Sequence, residues 1–202
     1  SLTDEFLAAL EAAAAEGQLR KVDVSNNTGL GEHGAAAVGR LVHKGLEELD
    51  ARSCGLTDEF LVALEAAAAE GQLRKVDVSN NTGLGEHGAA AVGRLVHKGL
   101  EELDAEECSL TDEFLVALEA AAAEGQLRKL DISRNSGFKE RGWAAVVRLV
   151  HKGLEELDAE HCSLTDEFLA ALEAAAAEGQ LRKLDISWNR GLGERGAAAV
   201  GR

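Results

Sequence analysis

The stretch that decides the fold is LRKVDVSNNTGLGEHGAAAVGRLVHKG, residues 73–99. Near its start, Leu73, Val76 and Val78 have the spacing of a short strand that buries one face. The apolar residues that later recur at helical spacing are Val92, Leu95 and Val96. The stretch closes with His, Lys and Gly, two cations and a glycine suited to the end of a helix. We therefore expect one strand followed by one helix.

This stretch alternates along the chain with a second stretch of the same length. The string LTDEF begins at Leu2, Leu56, Leu110 and Leu164, a constant spacing of 54 residues. Each period has two halves of 27 residues, and residues 46–72 read LEELDARSCGLTDEFLVALEAAAAEGQ. Both halves open with apolar residues at the first, fourth and sixth positions and carry Asn or Cys at the ninth. Such self-similarity indicates a repeat architecture in which neighbouring units share one core.

The motifs LxxVxVxxNxxL and LxxLxAxxCxL, in alternation, resemble the leucine-rich repeat of the ribonuclease-inhibitor-like class. The resemblance spans the whole chain. It implies an α/β fold, a right-handed solenoid shaped as a horseshoe, with parallel strands on the concave face and helices on the convex face. The ninth-position asparagines are expected to bond loop backbone groups that are otherwise buried without partners. They are Asn27, Asn81, Asn135 and Asn189.

We expect a single domain over residues 1–202. Its units are 1–18 (partial), 19–45, 46–72, 73–99, 100–126, 127–153, 154–180 and 181–202 (partial). No polar terminal cap is visible, so the end repeats are expected to be uncapped.

The composition excludes several classes of protein. The 36 acidic and 21 basic residues give a net charge of −15, which argues against generic nucleic-acid binding. No apolar run approaches the roughly 18 residues of a membrane span. Proline, methionine and tyrosine are absent, and the two 27-residue units at 19–45 and 73–99, which carry Asn at the ninth position, are identical. The small set of residue types and the regular repeat favour an idealised, engineered scaffold of defined curvature that is not an enzyme.

Catalytic, metal and cofactor sites are not predicted. The cysteines Cys54, Cys108 and Cys162 recur in identical contexts without CxxC spacing, which is typical of reduced core cysteines and a cytoplasmic protein. Histidines recur because their repeats were copied, and His161, which does not recur, has too few neighbouring ligands for zinc. Gly-Leu-Gly-Glu is a turn, not a phosphate-binding loop.

The strand residues that face solvent are mostly acidic. Third, fifth and seventh positions are expected on the concave face, where twelve acids and five bases leave a charge of −7. One interpretation is an acidic groove for a basic protein or peptide, as the resemblance implies, because ribonuclease inhibitors hold basic ribonucleases. The other is that Asp simply belongs to the repeat's strand sequence. The candidate partner-binding residues are Asp104, Glu106, Glu107, Asp131, Arg134, Asp158, Glu160, His161, Asp185, Trp188 and Arg190.

A second cluster of departures from the repeat lies on the helix side. Trp143 and Val147 replace Ala89 and Gly93 of the preceding period. In one interpretation Trp143 packs between helices and Ala170, which replaces Val116, makes room for it. In the other, Lys139, Arg141 and Trp143 form a basic and aromatic patch through which the chain assembles into a homo-oligomer.

Overall fold

The computed structural model describes residues 2–68, 72–178 and 180–193. Within these ranges helices and strands alternate strictly. The helices are α1 (Asp4–Ala13), α2 (Glu32–His43), α3 (Asp58–Ala67), α4 (Glu86–His97), α5 (Asp112–Ala121), α6 (Glu140–His151) and α7 (Asp166–Glu178). The strands are β1 (Lys21–Asp23), β2 (Glu48–Asp50), β3 (Lys75–Asp77), β4 (Glu102–Asp104), β5 (Lys129–Asp131), β6 (Glu156–Asp158) and β7 (Lys183–Asp185). None of the described helices is long and apolar enough to cross a bilayer.

The strands form one parallel sheet in the order of the sequence, from β1 to β7. Each strand residue pairs with its counterpart 27 residues later, so that Val76 pairs with Leu103 and Leu103 with Leu130. Equal unit lengths keep this register, because every connection spans the same distance. The predicted α/β solenoid, with strands on the concave face and helices on the convex face, is confirmed.

A continuous apolar core lies between the sheet and the helices. The middle residue of each strand enters it, and Val76, Leu103 and Leu130 are fully buried. Each helix adds an apolar stripe, such as Phe60 and Leu61 of α3. Full burial of one such side chain stabilises the fold by roughly 1.5–3 kcal/mol. Since the contacts run from unit to unit, the solenoid is held together by neighbouring repeats.

Buried asparagines tie each unit to the previous one, as the sequence predicted. The Asn81 side-chain oxygen accepts bonds from the backbone N–H groups of Cys54 (3.0 Å) and Leu56 (2.9 Å). Its amide nitrogen donates to the carbonyl oxygens of Ala51 (3.0 Å) and Val78 (2.7 Å). Asn135 and Asn189 repeat this arrangement. The ladder satisfies loop groups that are costly to leave unpaired in the core.

The start of each helix of the Asn-containing units is fixed in part by the preceding unit. Thr57 is the N-cap residue of α3, but its hydroxyl bonds Glu59 (2.5 Å) and makes no side-chain cap bond. Asp58 instead accepts a bond from the N–H of Gly85 (2.6 Å), directly before α4. The carboxylate therefore helps to fix the start of the next helix, a role invisible within one unit.

Candidate functional site

Aspartates at the fifth strand position form a ladder in register across the sheet. Asp104 pairs in register with Asp131, and Asp131 with Asp158. Neighbouring strands lie about 4.8 Å apart, so these like charges are close. Asp131 and Asp158 are half-buried, and only 9% of Asp104 is exposed. Whether the ladder attracts a partner therefore depends on how its charge is balanced.

At Asp50, Asp77 and Asp104 of the ladder, nearby cations balance the carboxylates. Arg52 lies 2.7 Å from Asp50 and 3.4 Å from Asp77. Lys75 and Lys129 approach Asp104 from either side, at 2.9 and 3.3 Å. Lysines of the two neighbouring strands, one before and one after, thus pair with the same aspartate.

Further along the sheet, over β5 and β6, the described aspartates have hydrogen-bond donors but no cations nearby. Asp131 accepts bonds from the hydroxyl (2.7 Å) and N–H (2.9 Å) of Ser133, and Asp158 accepts one from the N–H of Glu160 (3.1 Å). Among residues 72–178 and 180–193, no ion pair within 4.0 Å reaches Asp131, Asp158 or Glu160. The concave surface over β5 and β6 therefore carries the uncompensated charge.

The pKa values reflect this crowding. Burial raises the pKa of Asp158, and the charges of Asp131, Asp185 and Glu160 raise it further. Burial also raises the pKa of Glu106, although Arg134, 2.9 Å away, opposes the rise. At Asp185 the pKa is lowered, because Ser187 donates hydrogen bonds to its carboxylate. Crowding of carboxylates thus contributes to the raised pKa values of Asp158 and Glu106, whereas hydrogen bonding sets the pKa of Asp185.

The rim of the concave face is formed by the eighth position of each unit, and all seven such residues have left-handed backbone conformations. Their φ angles lie between 52° and 60°. The residues are Asn26, Ser53, Asn80, Glu107, Arg134, His161 and Trp188. Asparagine tolerates this conformation, whereas larger side chains are strained in it. Glu107, Arg134, His161 and Trp188 are among the candidate residues predicted from the sequence, but their backbone conformation was not predicted. Asparagine at positions 26 and 80 was the available signal.

The later rim residues point into solvent. Trp188 is 70% exposed, and Glu107, Arg134 and His161 are also exposed. Arg190 is exposed close to Trp188 in sequence. Exposed tryptophan and arginine are frequent anchors of protein interfaces. The predicted partner-binding residues thus form a half-buried acidic floor and an exposed rim.

Trp143 lies apart from that surface, inside the helix layer. Its ring centroid is 5.2 Å from Phe138 and 4.5 Å from Phe168, and only 4% of the residue is exposed. This placement favours the packing interpretation. The role expected for Ala170 stays a prediction: Ala170 is exposed on α7, and the ring is covered by Phe168. Of the predicted self-association patch, Lys139 and Arg141 are exposed.

The cysteines lie in the core as free thiols. The sulfur of Cys108 donates to the carbonyl oxygen of Val78 (3.2 Å), and burial raises its pKa to about 11. Burial likewise raises the pKa of Cys162 to about 12. Such thiols are poor nucleophiles at neutral pH. Within the described ranges, no group of three or more His, Cys, Asp or Glu residues is arranged to hold a metal ion.

Comparison with known proteins gives one family match and similar folds. A family model described as Leucine Rich repeat matches residues 181–201. Among solved structures, the yeast Rad7 and Elc1 complex contains a similar chain, with a TM-score of 0.58 and 15% identity. The alignment covers 99% of this chain and 64% of that one.

A second similar fold occurs in the complex of TLR13 with ssRNA13, with a TM-score of 0.53 and 15% identity. That alignment covers 93% of this chain but 27% of the other, so this chain spans only part of both proteins. At 15% identity these likenesses show the fold alone. The parallel sheet, the alternating Asn and Cys units and the family match over residues 181–201 together show a leucine-rich-repeat fold.

Proposed function

We propose that the protein is a non-catalytic, engineered scaffold of defined curvature, built by repeating one 54-residue unit. The observation that carries the proposal is the recurrence of the same side-chain contacts in successive periods. Glu65 lies 2.9 Å from Arg94 and 3.0 Å from Lys98. The equivalent group, Glu119 with Arg148 and Lys152, has the same two distances. Because the same contacts recur in successive periods, they support a protein selected for its overall shape.

Curvature follows from the spacing of helices relative to strands. Strand spacing is fixed by backbone hydrogen bonds, whereas helix spacing depends on the side chains between helices. A Cβ atom added at Gly39 lies 2.9 Å from the carbonyl carbon of Ala67, and one added at Gly93 lies 3.0 Å from that of Ala121. Glycine therefore permits close approach of α2 to α3 and of α4 to α5. Val147 stands at the equivalent position of α6, where we expect the helices to lie further apart.

Distances between spin labels test this scaffold. Labels on Glu113→Cys and Glu167→Cys span α6, and a matched pair on Glu59→Cys and Glu113→Cys spans α4; all three positions are exposed. The buried native thiols are expected to remain unlabelled. We expect the pair across α6 to be further apart, and to approach the control distance when Trp143→Ala and Val147→Gly are introduced together. Equal distances across α4 and α6 contradict a side-chain-controlled curvature.

A second function, binding of a basic protein or peptide on the concave face, is favoured by the uncompensated Asp131, Asp158 and Glu160. Charge complementarity accelerates and orients such association. The exclusion of nucleic acid as a partner stays a prediction, supported by the charge of −15. Both proposals leave the described fold unchanged and differ only in whether the concave surface is occupied.

Titration with an oligolysine peptide at low and moderate salt tests the second function. We expect salt-sensitive binding that the double substitution Asp158→Asn and Glu160→Gln weakens. The control, Asp50→Asn, removes a carboxylate already paired with Arg52 and is expected to have a smaller effect. Binding that is absent at low salt, or equal in the two variants, contradicts this function.

A further inference from the structure

We propose that Trp188 and Glu160 together form a site for an arginine side chain of a basic peptide, an inference that rests on the concave-face binding function proposed above. It adds to that function a specific contact and a preference for arginine over lysine. Glu160 follows β6 and Trp188 follows β7, so both lie at the carboxyl ends of neighbouring parallel strands. The site is therefore placed where the rim meets the acidic floor.

An ion pair within the chain shows what an eighth-position side chain can contact. Arg134 has this position in its unit, and its Nε lies 2.9 Å from the carboxylate of Glu106, at the seventh position of the preceding unit. These two residues are 28 positions apart in sequence, and so are Glu160 and Trp188. Both pairs of strands have the same register, and the φ angles of Arg134 and Trp188 are 57° and 56°. The indole therefore has the same reach toward Glu160 that the guanidinium has toward Glu106.

Glu160 lacks the cation that Glu106 has. Within the described part of the chain, no ion pair within 4.0 Å reaches Glu160, and this includes the exposed Arg190. Asp158, whose carboxylate accepts a bond from the N–H of Glu160 (3.1 Å), has no such ion pair either. A cation supplied by a partner at this place is therefore attracted by two carboxylates.

The indole of Trp188 has an open face for a ligand. It is 70% exposed, and among the described aromatic rings it contacts none. Its left-handed φ of 56° is unfavourable for a bulky side chain. Burial does not offset this cost, so Trp188 contributes little to the stability of the fold. Its ring remains available for contact with a partner.

A ring beside a carboxylate favours arginine over lysine. A guanidinium group is planar and can stack on an indole while its N–H groups donate hydrogen bonds to a carboxylate. The ammonium group of lysine is a strongly hydrated point charge without a planar face. An arginine of the partner thus takes the place beside Glu160 that Arg134 takes beside Glu106.

The probes are a peptide of six Gly-Arg repeats and a peptide of six Gly-Lys repeats, titrated by calorimetry at the same low salt. We expect the arginine peptide to bind about two- to fivefold more tightly, the gain typical of an exposed cation–π contact. Trp188→Ala should remove this preference and leave binding of the lysine peptide, because the carboxylates remain. Absence of binding by both peptides contradicts the concave-face function and this site with it. Equal affinities, or a preference that persists in Trp188→Ala, overturn the arginine site alone.

Two reciprocal substitutions sharpen the test. Trp188→Arg places an arginine of the chain itself beside Glu160, so the preference for the arginine peptide should disappear. Arg134→Trp frees Glu106 and places an indole beside it, so a second site should form and the preference should increase. Both side chains already occur in this backbone conformation, so both variants are expected to fold. The ratio of the two affinities is compared, because the substitutions change the net charge, and an unchanged ratio in either variant overturns the assignment.

Discussion

Residues 73–126 and 127–180 are copies of the same period, here called the regular copy and the altered copy, and they differ at eleven positions. In the altered copy these are Leu130, Ile132, Arg134, Ser136, Phe138, Lys139, Arg141, Trp143, Val147, His161 and Ala170. The strands of both copies pair in the same register within the one sheet. The copies nevertheless differ in rim residues, helix packing and charge balance. The comparison shows that the repeat tolerates local change where the inward strand positions stay apolar and the Asn is kept.

Helix packing is where we expect the largest effect. Trp143→Ala removes a ring that is buried between Phe138 and Phe168. Large-to-small substitutions of this kind cost about 3–5 kcal/mol of unfolding free energy. Chemical denaturation measures the loss. The control, Trp188→Ala, removes an exposed ring and should change stability by less than about 0.5 kcal/mol. Equal losses in the two variants contradict the buried position of Trp143.

The reverse experiment moves the altered packing into the regular copy. Gly93→Val places a Cβ against Ala121, and we expect it to destabilise the protein by about 1–3 kcal/mol. The native Val147 is accommodated only together with its neighbouring substitutions. Adding Ala89→Trp and Leu84→Phe to Gly93→Val should therefore recover part of the loss. If the triple variant is less stable than the single one in thermal and denaturant unfolding, the three substitutions do not act as a unit.

Sequence reasoning was most successful where a residue's role follows from the pattern of one unit or from the general cost of burying polar groups. Val76 and Val78 alternate with Asp77, and this alone predicts a strand with one acidic face. The bonds of Asn81 followed from the cost of burying unpaired backbone groups. Both predictions need only the sequence of one unit, so they hold for every copy of that unit.

Roles that depend on the next unit were harder to predict. Lys75 pairs with Asp104 of the following strand, and Asp58 bonds the N–H that precedes α4. The repeat spacing does not show which residues of the next unit a side chain can contact. The position of Trp143 against Phe168 likewise depends on the distance between two helices. The left-handed rim was missed because alternation of apolar residues carries no information on φ.

At the rim we expect a smaller effect on stability, which comes from the left-handed backbone conformation. Asn80 in the regular copy is replaced by Arg134 in the altered copy, and both have left-handed φ angles. We expect Asn80→Arg to cost about 1 kcal/mol, because the longer residue lacks asparagine's tolerance of this conformation. Asn80→Gly should be close to neutral, since glycine adopts it freely. Should arginine prove as stable as glycine in denaturant titrations, the rim is unstrained and Arg134 imposes no cost.

The smallest expected difference concerns charge, and it has opposite signs in the two copies. Asp158 has no cation within 4.0 Å among the described residues, and its pKa is raised by burial and by neighbouring carboxylates. The folded state therefore binds its proton more tightly than the unfolded chain does. Ionisation then costs folding free energy as the pH rises from the unfolded value, about 3.9, through the folded one. Asp158→Asn removes this cost.

We expect Asp158→Asn to stabilise the protein at pH 7 by about a few tenths of a kcal/mol, given its partial exposure, with the gain disappearing below pH 3. Its counterpart in the regular copy, Asp104, lies between Lys75 and Lys129. Asp104→Asn should instead destabilise the protein at pH 7, because it leaves two ammonium groups without this partner. Denaturant unfolding at several pH values measures both. Effects of the same sign at pH 7 contradict the difference in charge balance between the copies, and with it the reason to expect a basic partner over β5 and β6.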